Sequence, residues 1–409
     1  MRLAIFGFVT LSAMAQTDVP MAKPESVGMS EKRLERIHAF IQDYIDTNQI
    51  SGAVTLVARH GKVVHFEAQG WRYKEENQPM GKDSIFSLAS MTKPIVSSAL
   101  MMLWEDGKFM LDDPISKWLP SYAHKELVDP VSGARTPAKP VTLRNILTHT
   151  SGLSLEGGPN RPKTLLEEIE LSAKRPLAFQ PGERWQYGAS TDFVAALVEK
   201  ISGMTVDDYL KQKIFEPLGI RDTHYNIPRD KVNRVAAIYR PDKDGKIVLM
   251  RKPEYREPTT YFPGTAGLNG TAADYFRFSQ MLLNGGEYEG HRLLGRMTVD
   301  MMITNQIGAG KPVYIRGAGY GFGLGFGVLT DPSKSPDALS IGTFSWGGAN
   351  GTLFWIDPVE DLIGIMMIQI NPYSHFNIRP LYSVVVSQAI VDSWAGQKPR
   401  IAGYDTPRD

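Results

Sequence analysis

Ser90 and Lys93 are the residues of this chain whose types and spacing point most directly to chemistry. Side chains three residues apart lie on one face of a helix, so this spacing places a hydroxyl beside an amine that could accept its proton. The tetrapeptide Ser-x-x-Lys occurs once in the 409 residues. It predicts a nucleophilic serine with a lysine as its base, in a setting where burial or neighbouring cations favour the neutral amine.

The residues around this pair predict the element that positions it. A short apolar run, 85–89, leads into Ser90, and a long apolar stretch, 95–104, follows and ends at Asp106 and Gly107. Pro94 falls in the first turn, where a missing N–H costs little. We therefore expect Ser90 at the N-terminal end of a buried helix that stops at a glycine.

Two loops could supply the remaining groups for acyl transfer. Tyr187 follows a Pro-Gly turn and precedes a predicted helix, so its phenol could share the role of base with a lysine. The segment 346–351 reads Trp-Gly-Gly-Ala-Asn-Gly, and glycines before a strand let a ligand approach the backbone. Its N–H groups, with that of Ser90, could stabilise an oxyanion. Taken alone, one of sixteen tyrosines and a glycine turn are both compatible with a purely structural role.

Periodicity places strands at both ends of the chain and helices in the middle. The predicted strands are 54–58, 63–67, 319–327, 352–356 and 362–369, and the predicted helices are 30–47, 191–202, 206–215, 272–283 and 380–394. The region 111–284 is predicted to be mainly helices and loops. An α/β lobe formed by both termini, with a helical lobe inserted, is the simplest arrangement, and a cleft between lobes is a common ligand site.

Together these segments resemble the serine β-lactamase and penicillin-binding-protein superfamily, within it the class C β-lactamase-like proteins, and in particular the family VIII carboxylesterases. Ser90 and Lys93 match the nucleophile motif, Tyr187 matches the tyrosine of Tyr-x-Asn, and the segment beginning at Trp346 occupies the place of Lys-Thr-Gly. Segments 146–153, 215–220 and 264–268 are also typical of this family.

The resemblance implies a β-lactamase/transpeptidase-like fold of class α/β plus all-α, with an antiparallel sheet flanked by helices and an inserted helical lobe. We expect a single β-lactamase-related catalytic unit. Its predicted parts are a signal peptide (1–15), a leader (16–28), an α/β lobe (29–95 and 318–398) and a mainly helical lobe (96–317).

The implied site has Ser90, Lys93 and Tyr187 as catalytic residues. The N–H groups of Ser90 and Ala349 form the oxyanion hole, and the substrate-binding residues are Trp346, Gly347 and Gly348. Trp185, Trp346 and Phe354 are candidate walls of the acyl pocket.

Two departures from the family pattern bear on the substrate. Gly188 and Ala189 follow the tyrosine, so the asparagine of Tyr-x-Asn is absent, and Ser190 is a candidate substitute. Trp346 replaces the lysine of Lys-Thr-Gly, and tryptophan offers apolar surface and one N–H donor without charge. Both changes favour a neutral ester over an anionic β-lactam.

The sequence predicts a secreted serine hydrolase that cleaves short-chain esters, and it leaves several alternatives open. These are a class C-like β-lactamase, a D,D-peptidase, a D-amino-acid amidase, an acyltransferase, and a non-enzymatic β-lactam sensor that is acylated without turnover. The eight histidines form no metal-binding motif, and His149 is expected to be structural. The absence of Gly-x-Ser-x-Gly argues against an α/β-hydrolase lipase.

Composition and the N-terminus restrict the partners and suggest the compartment. A net charge of +1 gives no basis for binding nucleic acid. We expect a small-molecule ester or amide substrate, no cofactor or metal ion, and no transmembrane span. Arg2, an apolar stretch at 3–11 and Ala-Met-Ala at 13–15 predict a signal peptide cleaved after Ala15, which implies a periplasmic or secreted protein. The chain has no cysteine, so it forms no disulfide.

Overall fold

The computed structural model describes residues 18–157 and 162–393, so the predicted signal peptide lies outside the described residues. The described residues form sixteen strands. In chain order these are β1 (Gly52–Arg59), β2 (Lys62–Tyr73), β3 (Gln78–Pro79), β4 (Phe86–Ser87), β5 (Glu126–Val128), β6 (Arg135–Pro137), β7 (Ile238–Pro241), β8 (Ile247–Arg251), β9 (Asn269–Gly270), β10 (Glu287–Tyr288), β11 (His291–Arg292), β12 (Tyr320–Phe322), β13 (Gly327–Leu329), β14 (Phe344–Gly347), β15 (Leu353–Asp357) and β16 (Leu362–Met367).

Nine α-helices accompany these strands in the described part of the chain. They are α1 (Glu31–Asp46), α2 (Thr92–Glu105), α3 (Leu143–Leu147), α4 (Leu165–Ser172), α5 (Ser190–Ser202), α6 (Val206–Leu210), α7 (Ala272–Leu283), α8 (Arg296–Met302) and α9 (Ile378–Ser387). No helix among the described residues is both long and apolar enough to span a membrane.

Strands from both ends of the chain form one eight-stranded antiparallel sheet in the order β12-β13-β14-β15-β16-β1-β2-β3. Strand β1 shows why this sheet is covered on both faces. Val54 and Leu56 pack into the larger core with α2 and α7, whereas Val57 packs on the opposite face with α1 and α9. Successive side chains of a strand point to opposite faces, and every residue of β1 is buried, including Thr55 and Arg59. The flanked antiparallel sheet that the resemblance implied is thus observed, whereas the lobe boundaries stay a prediction.

One predicted strand is wrong. The alternating segment 319–327 is a hairpin in which β12 and β13 pair, with Tyr320 opposite Leu329. Gly325 has a φ of +100°, which glycine adopts readily, and the chain reverses there. A Cβ on Gly323 would lie 2.0 Å from the carbonyl oxygen of Met302, the last residue of α8. This glycine therefore allows the hairpin to pack closely against the end of α8.

The other predicted elements differ mainly at their ends. The helix predicted at 272–283 has the observed limits, and the C-terminal helix begins at Ile378 and ends at Ser387 instead of spanning 380–394. Two strand pairs, β5 with β6 and β7 with β8, lie in the middle region that was predicted to be helices and loops. Strand β14 was also not predicted, because Gly347 at its end and the following Gly348 indicated a turn.

Candidate active site

Ser90 lies in a short 3₁₀ turn, Ala89–Met91, directly before α2. Ala89 has a φ of +46°, which residues other than glycine rarely adopt. The surrounding structure must therefore stabilise this turn. Lys93 is only 4% exposed, and its Nζ donates to Ser90 Oγ at 3.1 Å. The structure therefore brings these two side chains together as their spacing predicted.

A second contact fixes the Lys93 amine. Its Nζ also donates to the carbonyl oxygen of Thr265 at 2.8 Å. A buried ammonium or amine needs such partners, because an unpaired polar group inside a protein costs several kcal/mol. The sequence did not single out Thr265 itself, although it lies in the segment 264–268 that resembled the family.

Tyr187 lies beside Lys93 but contacts it through its ring. Lys93 Nζ is 4.6 Å from the centroid of that ring, which is a cation–π contact. The Tyr187 hydroxyl accepts a hydrogen bond of 3.3 Å from Trp346 Nε1. No hydrogen bond of the described residues joins this hydroxyl to Ser90 or to Lys93. Tyr187 therefore lies near the Ser90–Lys93 pair as predicted. In this conformation, however, its hydroxyl makes no hydrogen bond among the described residues through which a proton could pass to Ser90 or Lys93.

A cluster of aromatic side chains packs around the Tyr187 ring. Trp185 stacks on it with the centroids 6.0 Å apart and the planes at 18°, and His149 lies 5.0 Å from it. Trp346 packs on it at 5.3 Å. Aromatic pairs at such distances stabilise one ring orientation beyond simple burial of apolar area. The cluster thus positions the phenol next to the Ser90–Lys93 pair.

His149 is a neutral member of this cluster. Burial, together with the nearby Lys93 charge, lowers its pKa well below 6.5, so the imidazole carries no charge at neutral pH. Its Nδ1 is buried and has no hydrogen-bond partner among the described residues. The side chain therefore packs against Tyr187 without serving as a charged group.

The glycines after Trp346 make room for other parts of the protein. A Cβ on Gly347 would lie 2.8 Å from the Arg379 guanidinium carbon, and a Cβ on Gly348 would lie 2.4 Å from the carbonyl oxygen of Leu88. The sequence interpretation, that these glycines admit a ligand, misses this packing requirement. They let β14 approach the Ser90 turn, and the exposed Ala349 lines the same cavity as Ser90.

Arg379, at the start of α9, fixes the turn after β14 and was not predicted. It donates to the carbonyl oxygens of Gly348, Gly351 and Thr352, the last at 2.7 Å. It also stacks 3.6 Å from the Tyr373 ring centroid. Burial lowers the pKa of Arg379 to about 10, so the guanidinium stays protonated at neutral pH. It lies more than thirty positions after Trp346, and no local pattern indicates that contact.

These groups border a cavity of about 380 Å³. Ser90, Tyr187, Trp346 and Ala349 contribute to its wall, together with Arg379. Of the predicted acyl-pocket walls, only Trp346 lines this cavity. Trp185 is buried behind Tyr187.

Phe354, the third predicted wall, belongs to the core. Its ring packs 4.8 Å from that of Tyr275, and its side chain is fully buried.

Comparison with known proteins places this arrangement in a family. The family model described as Beta-lactamase matches residues 37–385. Protein Rv1367c of Mycobacterium tuberculosis is 33% identical over 83% of this chain and 90% of its own length. Esterase EstB of Burkholderia gladioli is 31% identical over 79% of this chain and 86% of its own length.

Solved structures give the same result for the fold. The structure of EstCE1, a hydrolase with promiscuous acyltransferase activity, superposes with a TM-score of 0.73 and 26% identity. The match covers 88% of this chain and 99% of that one. The β-lactamase/transpeptidase-like fold predicted from the sequence is therefore confirmed.

Proposed function

This chain belongs to the Beta-lactamase family, and from that premise we propose that it hydrolyses short-chain carboxylic esters through an acyl-enzyme on Ser90. The observation that carries the proposal is the hydrogen bond of 3.1 Å between Lys93 Nζ and Ser90 Oγ. A serine hydroxyl is a weak nucleophile unless an adjacent base accepts its proton.

In the proposed mechanism Ser90 Oγ attacks the ester carbonyl while Lys93 and Tyr187 accept its proton. Tyr187 then passes a proton to the leaving alkoxide, and the N–H groups of Ser90 and Ala349 stabilise the oxyanion. Water cleaves the acyl-enzyme with the same pair as base, releasing the acid and restoring Ser90. For this, the Tyr187 hydroxyl must exchange its contact with Trp346 for one with the reacting groups, and hydrogen bonds of this kind often form only with substrate bound.

Three observations favour an ester as the substrate. Trp346 presents an uncharged aromatic face at the position of the lysine in Lys-Thr-Gly, so that cation is not available to an anionic β-lactam. The cavity of about 380 Å³ suits a small acyl group. Relatives named as an esterase and a hydrolase, EstB and EstCE1, cover most of this chain.

The test is hydrolysis of p-nitrophenyl acetate, butyrate and octanoate by wild type, Ser90→Ala and the matched control Ser87→Ala. We expect turnover that decreases with chain length, disappears in Ser90→Ala and persists in Ser87→Ala. A chromogenic cephalosporin and a D-Ala-D-Ala peptide are assayed in parallel. Faster turnover of either would favour a β-lactamase or a D,D-peptidase, and a burst without turnover would favour an acylated sensor.

We also propose that the protein is exported. The basis is the N-terminal pattern of Arg2, an apolar stretch and Ala-Met-Ala. Expression of the full chain in a bacterial host should yield a periplasmic or secreted form whose N-terminal sequence begins at Gln16. A cytoplasmic product that retains Met1 would contradict this proposal.

A further inference from the structure

A buried carboxylate lies behind the Lys93 contact and is not used by the mechanism above. Asp192, in the first turn of α5, is 4% exposed. Its Oδ1 accepts the backbone N–H of Thr265 at 2.8 Å and the Thr265 hydroxyl at 2.8 Å, and its Oδ2 lies 3.0 Å from that hydroxyl. The Asp192 carboxylate therefore accepts hydrogen bonds from both donor groups of Thr265, its backbone N–H and its hydroxyl.

Asp192 accepts hydrogen bonds from Thr265, and the carbonyl oxygen of Thr265 in turn accepts one from Lys93. The Thr265 carbonyl accepts the Lys93 amine at 2.8 Å, and the same amine reaches Ser90 at 3.1 Å. A Cβ on Gly264 would lie 2.1 Å from the carbonyl oxygen of Thr191, so this loop lies directly against α5. Two of the three hydrogen-bonding directions of the amine are thus fixed, one of them through Asp192.

We propose that Asp192 is a positioning residue that acts through Thr265 to aim the Lys93 amine at Ser90. This inference rests on the proposed function, in which the neutral amine accepts the Ser90 proton. Burial raises the pKa of Asp192, while the Thr265 hydrogen bonds and the Lys93 charge oppose that change.

Other ionisable groups also surround the Asp192–Lys93 pair. Tyr187 and His149 face Lys93 from the two loops packed against it, and burial keeps His149 neutral. Glu168 from α4 and Tyr225 from the loop before β7 interact electrostatically with Asp192. Burial raises the pKa of Tyr225 well above 10, so this phenol does not ionise near neutral pH.

Asp192→Asn separates charge from geometry. An amide oxygen at the Oδ1 position can keep both hydrogen bonds from Thr265, while the negative charge is lost. The proposed role depends on those hydrogen bonds, so Asp192→Asn should keep most of the wild-type kcat. Asp192→Ala loses the hydrogen bonds as well, and we expect kcat to fall about 10- to 100-fold with little change in KM.

The experiment records kcat and KM for p-nitrophenyl butyrate, and the rate of Ser90 modification by a fluorophosphonate, for wild type and both Asp192 variants. The control is Glu199→Gln, which removes a carboxylate from the same helix where it accepts the Val206 N–H at 3.0 Å. Glu199→Gln should leave kcat, KM and the modification rate unchanged.

The two proposals fail in different ways. An Asp192→Ala enzyme with wild-type kcat, or an Asp192→Asn enzyme as slow as Asp192→Ala, in a protein whose reaction still requires Ser90, overturns the role of Asp192 alone. A wild-type protein that neither hydrolyses the ester nor reacts with fluorophosphonate at Ser90 overturns the proposed function and this inference with it. Should Asp192→Ala fail to fold, Thr265→Val decides the matter, because it removes the hydroxyl that Thr265 donates to Asp192, and a wild-type kcat in that variant overturns the role.

Discussion

At the scale of single residues, the Tyr187 hydroxyl is the group whose role is most open to direct test. Its ring is fixed by Trp185, His149 and Trp346, so Tyr187→Phe should preserve the packing and remove only the hydroxyl. We expect kcat/KM for p-nitrophenyl butyrate to fall at least ~100-fold, as for loss of a general acid–base group. Steady-state kinetics with a near-ultraviolet circular dichroism spectrum measure both effects.

A matched control removes a neighbouring phenol hydroxyl. Tyr314 packs on Trp185 at 5.0 Å, and its hydroxyl accepts the backbone N–H of Tyr187 at 3.2 Å. Tyr314→Phe should reduce kcat/KM by no more than ~10-fold, since that hydroxyl acts only on loop position. Equal losses in the two variants, or a Tyr187→Phe enzyme as fast as wild type, would exclude Tyr187 as the proton carrier.

The sequence could predict those contacts of the site whose residues lie close together along the chain. Ser90 and Lys93 are three residues apart, so helix geometry alone brings them together. Tyr187 could be selected only through the resemblance. The contacts of Asp192 with Thr265 and of Arg379 with the turn after β14 join distant segments, and no spacing rule indicates them.

At the scale of elements, the approach of β14 to the Ser90 turn depends on Gly348, which has no side chain. A Cβ on Gly348 would lie 2.3 Å from Thr352 Oγ1 and 2.4 Å from the carbonyl oxygen of Leu88. Backbone cannot move aside cheaply, so Gly348→Ala should destabilise the protein by about 1–3 kcal/mol and displace Ala349. We expect a lower melting temperature, together with a kcat reduced by more than the stability loss explains.

A nearby glycine provides the control for stability. A Cβ on Gly188 would meet no atom of the described residues within 4 Å, so Gly188→Ala should leave the melting temperature within about 2 °C of wild type. An unchanged melting temperature and kcat in Gly348→Ala would show that β14 can shift without consequence, against this account of the turn.

The elements that the sequence predicted well are those with clear end signals. Helix α7 has a threonine cap and ends shortly before Gly285 and Gly286, and its limits agree with the prediction. The hairpin of β12 and β13 was predicted as one strand because alternation persists through a tight turn. Short strands such as β5 and β6, three residues each, carry too little pattern to be recognised.

At the scale of the whole molecule, stability should fall as the pH drops from 6.5 towards 4. Burial, with the Lys82 charge nearby, lowers the pKa of His65 to about 4, and the ring shares a hydrogen bond of 2.8 Å with Thr55. The unfolded chain takes up this proton near pH 6.5, before the folded chain does. This one proton therefore removes up to about 1.4 kcal/mol per pH unit from the free energy of unfolding across that window.

Urea unfolding at pH 7 and pH 5 measures this dependence. His65→Gln should reduce the difference in free energy between the two pH values, whereas substitution of the exposed His291 by Gln should not. If His65→Gln shows the same pH dependence as wild type, other groups are responsible for the loss of stability in acid.

The whole-molecule arrangement could be predicted in outline because strands at both ends of the chain must share a sheet to bury their apolar faces. The order of the strands required the structure, since β16 pairs with β1 across some three hundred residues. The cavity beside Ser90 likewise depends on α9, which the chain reaches only after the last strand of the sheet.

Trapping the acyl-enzyme tests the central claim most directly. Wild type, Ser90→Ala and Ser87→Ala are mixed with p-nitrophenyl butyrate, quenched in acid within milliseconds, digested and analysed by mass spectrometry. The account predicts one butyryl group on Ser90 in wild type and in Ser87→Ala, and none in Ser90→Ala, which also loses turnover. Ester hydrolysis that continues in Ser90→Ala, or an acyl group found on another residue, would contradict it.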